Sequence, residues 1–184
     1  FLDQEPAWYR RHMTFDAEKD GGKRLVLYFE GVTDRCEVFF NGSSMYVNDC
    51  GYVPFEVDIT DMAKFGETET NFLAVYVSTD EHEGWWYEGA GIYRHVWLCK
   101  TDTVAVDLWG VYVVPAKRED GNWELAIETT VRNDRYEDAN VKVESRVIDT
   151  EGKIVAKCSA DGSVELRDKA VIKYSTTLEG AHLW

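Results

Sequence analysis

Trp85, Trp86 and Tyr87 form an unbroken aromatic row, and the fourteen residues from Trp85 to Leu98 hold five aromatic rings, a Gly89-Ala90-Gly91 pivot and Arg94. The run is too aromatic for an ordinary loop and too broken by glycine for a helix. It reads as a surface turn that presents flat rings and then becomes an apolar strand. Flat rings at a surface stack on the C–H face of a sugar; the same rings also fill the end of a core. Just upstream, Glu81 and Glu83 flank His82. Two carboxylates around an imidazole offer general acid–base chemistry or a hard cation site, and they equally describe a solvated acidic loop. Arg94, beside apolar strand residues, suits a bidentate pair with a carboxylate. Gly89 and Gly91 allow a tight turn or a bulge.

Elsewhere the chain is poor in reactive patterns. It has no phosphate loop, nucleophile elbow or metal signature. Cys36, Cys50, Cys99 and Cys158 show no CxxC spacing, and His12, His82, His95 and His182 are scattered. No metal and no cofactor is therefore expected. The cysteines read as free and mostly buried thiols, with one disulfide in an oxidising compartment as the alternative. Asp58 and Asp61 read as helix caps and first-turn charges rather than a catalytic pair. Glu67/Glu69, Glu119/Asp120 and Glu137/Asp138 read as solvated turns.

The 184 residues carry a net charge of −14. Residues 1–102 contain 9 basic and 19 acidic residues, net −10, and residues 103–184 contain 11 and 15, net −4. That field repels phosphate backbones, so nucleic acid is a poor partner. No run of eighteen apolar residues is present, hence no helical membrane span. Hydrophobic content of 45% is enough for a core.

The elements that position these residues are strands. Period-two alternation dominates and long helical periods are absent. Arg24–Glu30, Arg35–Phe40, Met45–Val47 and Phe55–Ile59 read as strands, and Asn41-Gly42 as a type I′ hairpin turn. Thr60–Gly66 reads as one helical turn, capped by Thr60 or Asp58 and closed by Gly66. Asn71–Val77, near-continuously apolar, reads as a central strand. Beyond residue 102 some seven short half-polar strands are expected, with turns at Asp120-Gly121-Asn122, Glu151-Gly152 and Asp161-Gly162. These features predict an all-β chain with a boundary near Thr101–Thr103. Residues 1–102 form a jelly-roll β-sandwich of the kind that binds carbohydrate, and residues 103–184 an immunoglobulin-like β-sandwich.

The order of several fragments resembles glycoside hydrolase family 2, the family of β-galactosidases, β-glucuronidases and β-mannosidases. Trp8-Tyr9-Arg10-Arg11 with Met13-Thr14-Phe15 looks like its first strand. Leu27–Val32 and Val38–Gly42 follow, then Gly51-Tyr52-Val53-Pro54-Phe55 running into Asp58-Ile59-Thr60. Asn71–Val75 and Gly89-Ala90-Gly91-Ile92-Tyr93-Arg94 complete the series. Residues 103–184 resemble the second, immunoglobulin-like domain more loosely.

The resemblance implies a retaining glycosidase whose acid/base and nucleophile are glutamates on a TIM barrel beyond this chain. The two carboxyls of such an enzyme lie ~5–5.5 Å apart, and a barrel needs about 250 residues. No catalytic residue is therefore expected here. Phe1-Leu2-Asp3-Gln4 reads as a chain joined midway, and Leu183-Trp184 stands where the linker to the barrel would begin. In β-galactosidases of the family a carboxylate shortly before the Gly91–Arg94 motif lines the sugar site, and Glu83 is the nearest counterpart. Trp85, Trp86 and Tyr87 then contact sugar, the barrel, or the core.

The expected function is that of a non-catalytic N-terminal portion of a β-galactosidase. The alternatives are a β-glucuronidase or β-mannosidase portion, a free-standing carbohydrate-binding module, and an adhesion or adaptor sandwich. Expected partners are the TIM barrel of the parent chain, a β-glycan, and a second copy in a homo-oligomer. Periplasmic, secreted and cytoplasmic locations all stay open.

Overall fold

The computed structural model describes residues 5–33, 35–78 and 89–181. The chain divides into two compact units, residues 1–102 and 103–184. Both are built from antiparallel strands, as the alternation predicts.

The first unit holds β1 (Ala7–Met13), α1 (Ala17–Asp20), β2 (Arg24–Phe29), β3 (Val32–Thr33), β4 (Arg35–Phe40) and β5 (Ser43–Asn48), then β6 (Phe55–Asp58), β7 (Asn71–Ser78), β8 (Gly91–Ile92) and β9 (Val96–Thr101). A four-stranded sheet runs β1-β7-β4-β5 and a three-stranded sheet β6-β2-β9, with β3 and β8 pairing separately. Leu25, Leu27 and Phe29 of β2 meet Cys36, Val38 and Phe40 of β4 and Leu73, Val75 and Val77 of β7 in one buried core. Tyr46 of β5 stacks on Phe55 of β6 across the sandwich, centroids 5.1 Å apart. The hairpin between β4 and β5 turns at Asn41 (φ 49°) and Gly42 (φ 87°), the two positive values of the expected turn.

Three details depart from the expected elements. The helical turn at Thr60 is a 3₁₀ turn of three residues, Thr60–Met62. The Asp58 carboxylate accepts from the Thr60 amide at 3.0 Å, but Gly66 stands beyond the turn and donates its amide to the Phe15 carbonyl. A second short helix, α1, stands where no helical period is present in the sequence. Asp16 caps it by accepting from the Glu18 and Lys19 amides. β7 is central in its sheet, yet its burial alternates strictly. The strand covered on both faces is β2.

Among its described residues the second unit has five strands rather than seven: β10 (Val104–Lys117), β11 (Trp123–Asn133), β12 (Ala139–Ile148), β13 (Ile154–Val164) and β14 (Lys169–Leu178). The sheets are β10-β11-β14 and β12-β13. β10 stays one strand because a bulge between Val106 and Val111, with Trp109 at φ 54°, absorbs the break. Asp161-Gly162 is not a turn. Gly162 pairs with Val141 inside β13, and a Cβ there would come within 2.8 Å of the Ile172 side chain. The glycine serves close packing in a small core of Val131, Val143, Val164 and Ile172. The Tyr174 hydroxyl joins Thr129 and Ser145, each at 2.7 Å.

All four cysteines are free. Only Cys36 is buried; Cys99 and Cys158 are half-buried and Cys50 is exposed, against the expectation of mostly buried thiols. Cys50 follows the end of β5, outside the alternating core pattern.

Candidate functional site

The aromatic segment re-enters the described residues at Gly89. Glu83, Trp85, Trp86 and Tyr87 lie outside them, as do Glu81 and His82. From Gly91 on, the segment is fixed by contacts to three other parts of the first unit.

Gly91 adopts φ 134° and pairs with Thr33. A Cβ at this position would sit 2.6 Å from the Tyr9 hydroxyl. Glycine is thus required both by the backbone angle and by the approach of β1. Tyr93 lies against Gly31, where an added Cβ would come within 2.8 Å of the Tyr93 ring. Its hydroxyl donates to the Gly51 carbonyl at 2.9 Å. One side chain thereby ties two glycine-bearing loops to the motif.

Arg94 does not make the expected bidentate carboxylate pair among the described residues. Its guanidinium lies over the Tyr93 ring, 5.1 Å from the centroid, on the exposed side. The carboxylate that the segment recruits is Glu30, at the end of β2. The Trp97 indole donates to Glu30 Oε1 at 2.8 Å. His95 brings its amide to within 3.3 Å and its Nδ1 to within 3.1 Å of Oε2. The Trp97 hydrogen bond, followed by those from His95, holds the Glu30 carboxyl below the usual glutamate range. Sequence reasoning passed over Glu30, His95 and Trp97. The one available signal was a glutamate closing an apolar strand, with no way to read the partner strand.

Beside this cluster a cleft of about 710 Å³ opens at the β1 and β9 edge of the sandwich, lined by Tyr9, Arg11, Phe15, Phe29, Ile92 and Leu98 among others. Its walls are apolar, with polar and cationic groups on the β1 side. The lining residues include Tyr9, Arg10, Arg11 and His12. Such groups hydrogen-bond hydroxyls and stack on rings. Among the described residues no group of three or more His, Cys, Asp or Glu side chains is placed to hold a metal, and no helix is long and apolar enough to cross a membrane.

The fold defines an all-β class of protein built from antiparallel sheets packed as sandwiches. Residues 3–102 match the family model described as the sugar binding domain of glycosyl hydrolases family 2. The chain belongs to glycosyl hydrolase family 2. It is 38% identical over 179 residues to beta-galactosidase BoGH2A of Bacteroides ovatus, covering 96% of this chain and 21% of that protein. It is 28% identical to a beta-glucuronidase of Formosa agariphila, covering 96% of this chain and 20% of that one. A family 2 member from Bacteroides cellulosilyticus superposes with a TM-score of 0.91 at 27% identity, over 98% of this chain and 24% of that one. The chain spans about a fifth of the length of the curated relatives it matches.

Proposed function

We propose that this chain is the non-catalytic N-terminal portion of a retaining family 2 glycosidase, a β-galactosidase first and a β-glucuronidase second. Residues 1–102 act as a jelly-roll domain and residues 103–184 as an immunoglobulin-like spacer. The observation that carries this reading is the 38% identity to a beta-galactosidase that runs along nearly the whole chain yet accounts for only 21% of that protein. The chemistry then belongs to a barrel, where two carboxyls ~5–5.5 Å apart serve as acid/base and nucleophile.

The role of this chain is to dock on that barrel and shape one wall of its pocket. Glu83, Trp85, Trp86, Tyr87 and Arg94 are the residues we assign to that wall. A surface on the second unit supports docking. Val111, Tyr112, Val113 and Val114 follow one another on the edge strand β10 and all are exposed, on both faces of the strand. Four consecutive exposed apolar residues need a cover, and further polypeptide of the same parent supplies one.

The test compares the 184-residue chain with a polypeptide extended through the following reading frame, using aryl β-galactoside and aryl β-glucuronide. Turnover of the galactoside by the extended form alone is the expected result. Turnover by the short chain, abolished by a substitution within it, would overturn the proposal.

A further inference from the structure

We propose that the outer face of the four-stranded sheet, centred on Trp8, Arg10 and Tyr76, binds an acidic glycan: a chain of pyranoses bearing carboxylates. Arg10 and His12 also line the cleft with Ile92, Val96 and Leu98, but the trough on this face is itself lined by Trp8, Phe39 and Phe72 and by no residue of the Gly89–Leu98 arm, and it does not require a catalytic barrel.

The face follows from strand register. Trp8 pairs with Tyr76, Arg10 with Ala74 and His12 with Phe72. On the other side of β7, Glu37 pairs with Tyr76 and Phe39 with Ala74. Side chains directly opposite share a face. The alternate residues of β7, Leu73, Val75 and Val77, fill the core, so this set points outward. An outward sheet face is ordinarily polar. Here it carries Trp8, Phe39, Phe72 and Tyr76, with Trp8 and Phe72 each 51% exposed. The Trp8 ring lies 5.0 Å from Tyr76 and 5.6 Å from Phe39. His12 meets Phe72 edge-on at 4.7 Å. Ala74, the smallest side chain in the set, leaves a trough of about 330 Å³ lined by Trp8, Arg10, His12, Phe39 and Phe72.

The same face explains the apolar run of β7. The run is not buried on both sides; its second side is this aromatic surface. Exposed contiguous aromatic area marks a binding site, and rings of this type take the flat C–H face of a sugar while their edges stay wet.

Charge selects the kind of sugar. The chain holds 34 acidic residues against 20 basic, yet Arg10 on this face makes no ion pair among the described residues, and its guanidinium lies 5.9 Å from the Trp8 ring centroid. His12 beside it has the Phe72 ring as its neighbour. The only carboxylate of the set, Glu37, is engaged at the far side by the Ser44 hydroxyl. A planar guanidinium held over an indole is prepared for bidentate carboxylate binding. A long acidic polypeptide would meet the whole net charge of −14, whereas a short uronate chain meets the local cations first.

The intact chain is titrated calorimetrically with oligogalacturonate, a neutral galacto-oligosaccharide of equal length, and poly-L-glutamate. Saturable binding of oligogalacturonate is expected, at least about tenfold tighter than either comparator. Trp8→Ala and Arg10→Ala should each weaken it about tenfold, and Arg10→Lys should recover part of the loss. Trp8 and Arg10 are exposed, so each variant should keep its melting temperature; Ala74→Glu, which fills the trough and sets a carboxylate beside Arg10, should abolish binding as the independent check. Failure of oligogalacturonate to bind overturns the proposal. So does equal binding of poly-L-glutamate, equal binding of the neutral glycan, or binding unchanged in Trp8→Ala and Arg10→Ala. Self-association lost in Trp8→Ala would assign the face to a second copy instead. Aryl-glycoside turnover by the extended polypeptide, unchanged in Trp8→Ala, separates this site from the function proposed above.

Discussion

The side-chain amide of Asn41 donates to the side-chain carbonyl of Asn71 at 2.9 Å, joining the hairpin turn to the start of β7. Asn71 is fully buried. Its carbonyl also accepts from the Lys64 amide at 2.9 Å, and its own amide donates to the Lys64 carbonyl at 2.8 Å. Asn41 in turn donates to the Met62 carbonyl and accepts from the Phe72 amide. Two asparagines thus tie down the segment that follows the 3₁₀ turn, beside the isolated β-bridge between Phe65 and Phe15.

Asn71→Ala should therefore destabilise the first unit by about 1–3 kcal/mol, the cost of leaving buried backbone groups unpaired. Urea unfolding would show it as a lower midpoint with an unchanged slope. A midpoint within error of the parent would refute the network's contribution.

Gly91→Ala should cost about 1–3 kcal/mol, since the left-handed backbone is strained for any side chain. The Tyr9 hydroxyl adds a clash. Adding Tyr9→Phe should relieve the clash and restore part of the melting temperature, leaving the backbone share. Full restoration by Tyr9→Phe would show that φ has no share.

Asp107 should make stability fall at acid pH. Burial would raise its pKa, but the hydrogen bond and charge of Lys169, together with Arg132, outweigh burial and hold it below 3.8. A carboxyl whose folded pKa lies below its unfolded value stabilises the fold above the unfolded value. That contribution is lost as pH falls through the folded value. Asp20, held by Lys100, adds to the same slope. Unfolding midpoints measured from pH 7 downward should stay level and then drop below about pH 4. Asp107→Asn should lower the plateau and shallow the drop; an unaltered drop would remove Asp107 from the account.

Thiol labelling should split the cysteines. Burial pushes the Cys36 thiol up to about 11, and thiolate is the reactive form. At pH 8 the exposed Cys50 should react first and Cys36 only on unfolding. Cys50→Ser should delete the fast phase; a fast phase that survives would place another thiol at the surface.

Much of the first unit was legible because its signals are local. The unbroken apolar run Leu25–Phe29 reports a strand buried on both faces, alternation in Arg35–Phe40 reports one buried face, and Asn41-Gly42 reports its own backbone angles. The rest was hidden where the deciding partner is remote in sequence. Asp161-Gly162 has the composition of a turn, and only Ile172 across the sandwich makes the glycine a packing residue. Glu30 is an ordinary strand-end carboxylate until β9 brings His95 and Trp97, 65 and 67 residues away, onto its oxygens. Arg94 looked ready for a carboxylate, and the fold placed it over the neighbouring Tyr93 ring.

By itself, the sequence determined an all-β chain, most strand positions, the β4–β5 turn and the family, because period, turn chemistry and motif order are written in neighbouring residues. The tertiary structure alone decided which face of β7 became core and which became an aromatic surface. Both faces of that strand are apolar in sequence, and a strand shows its neighbours only after β1 and β4 have paired with it.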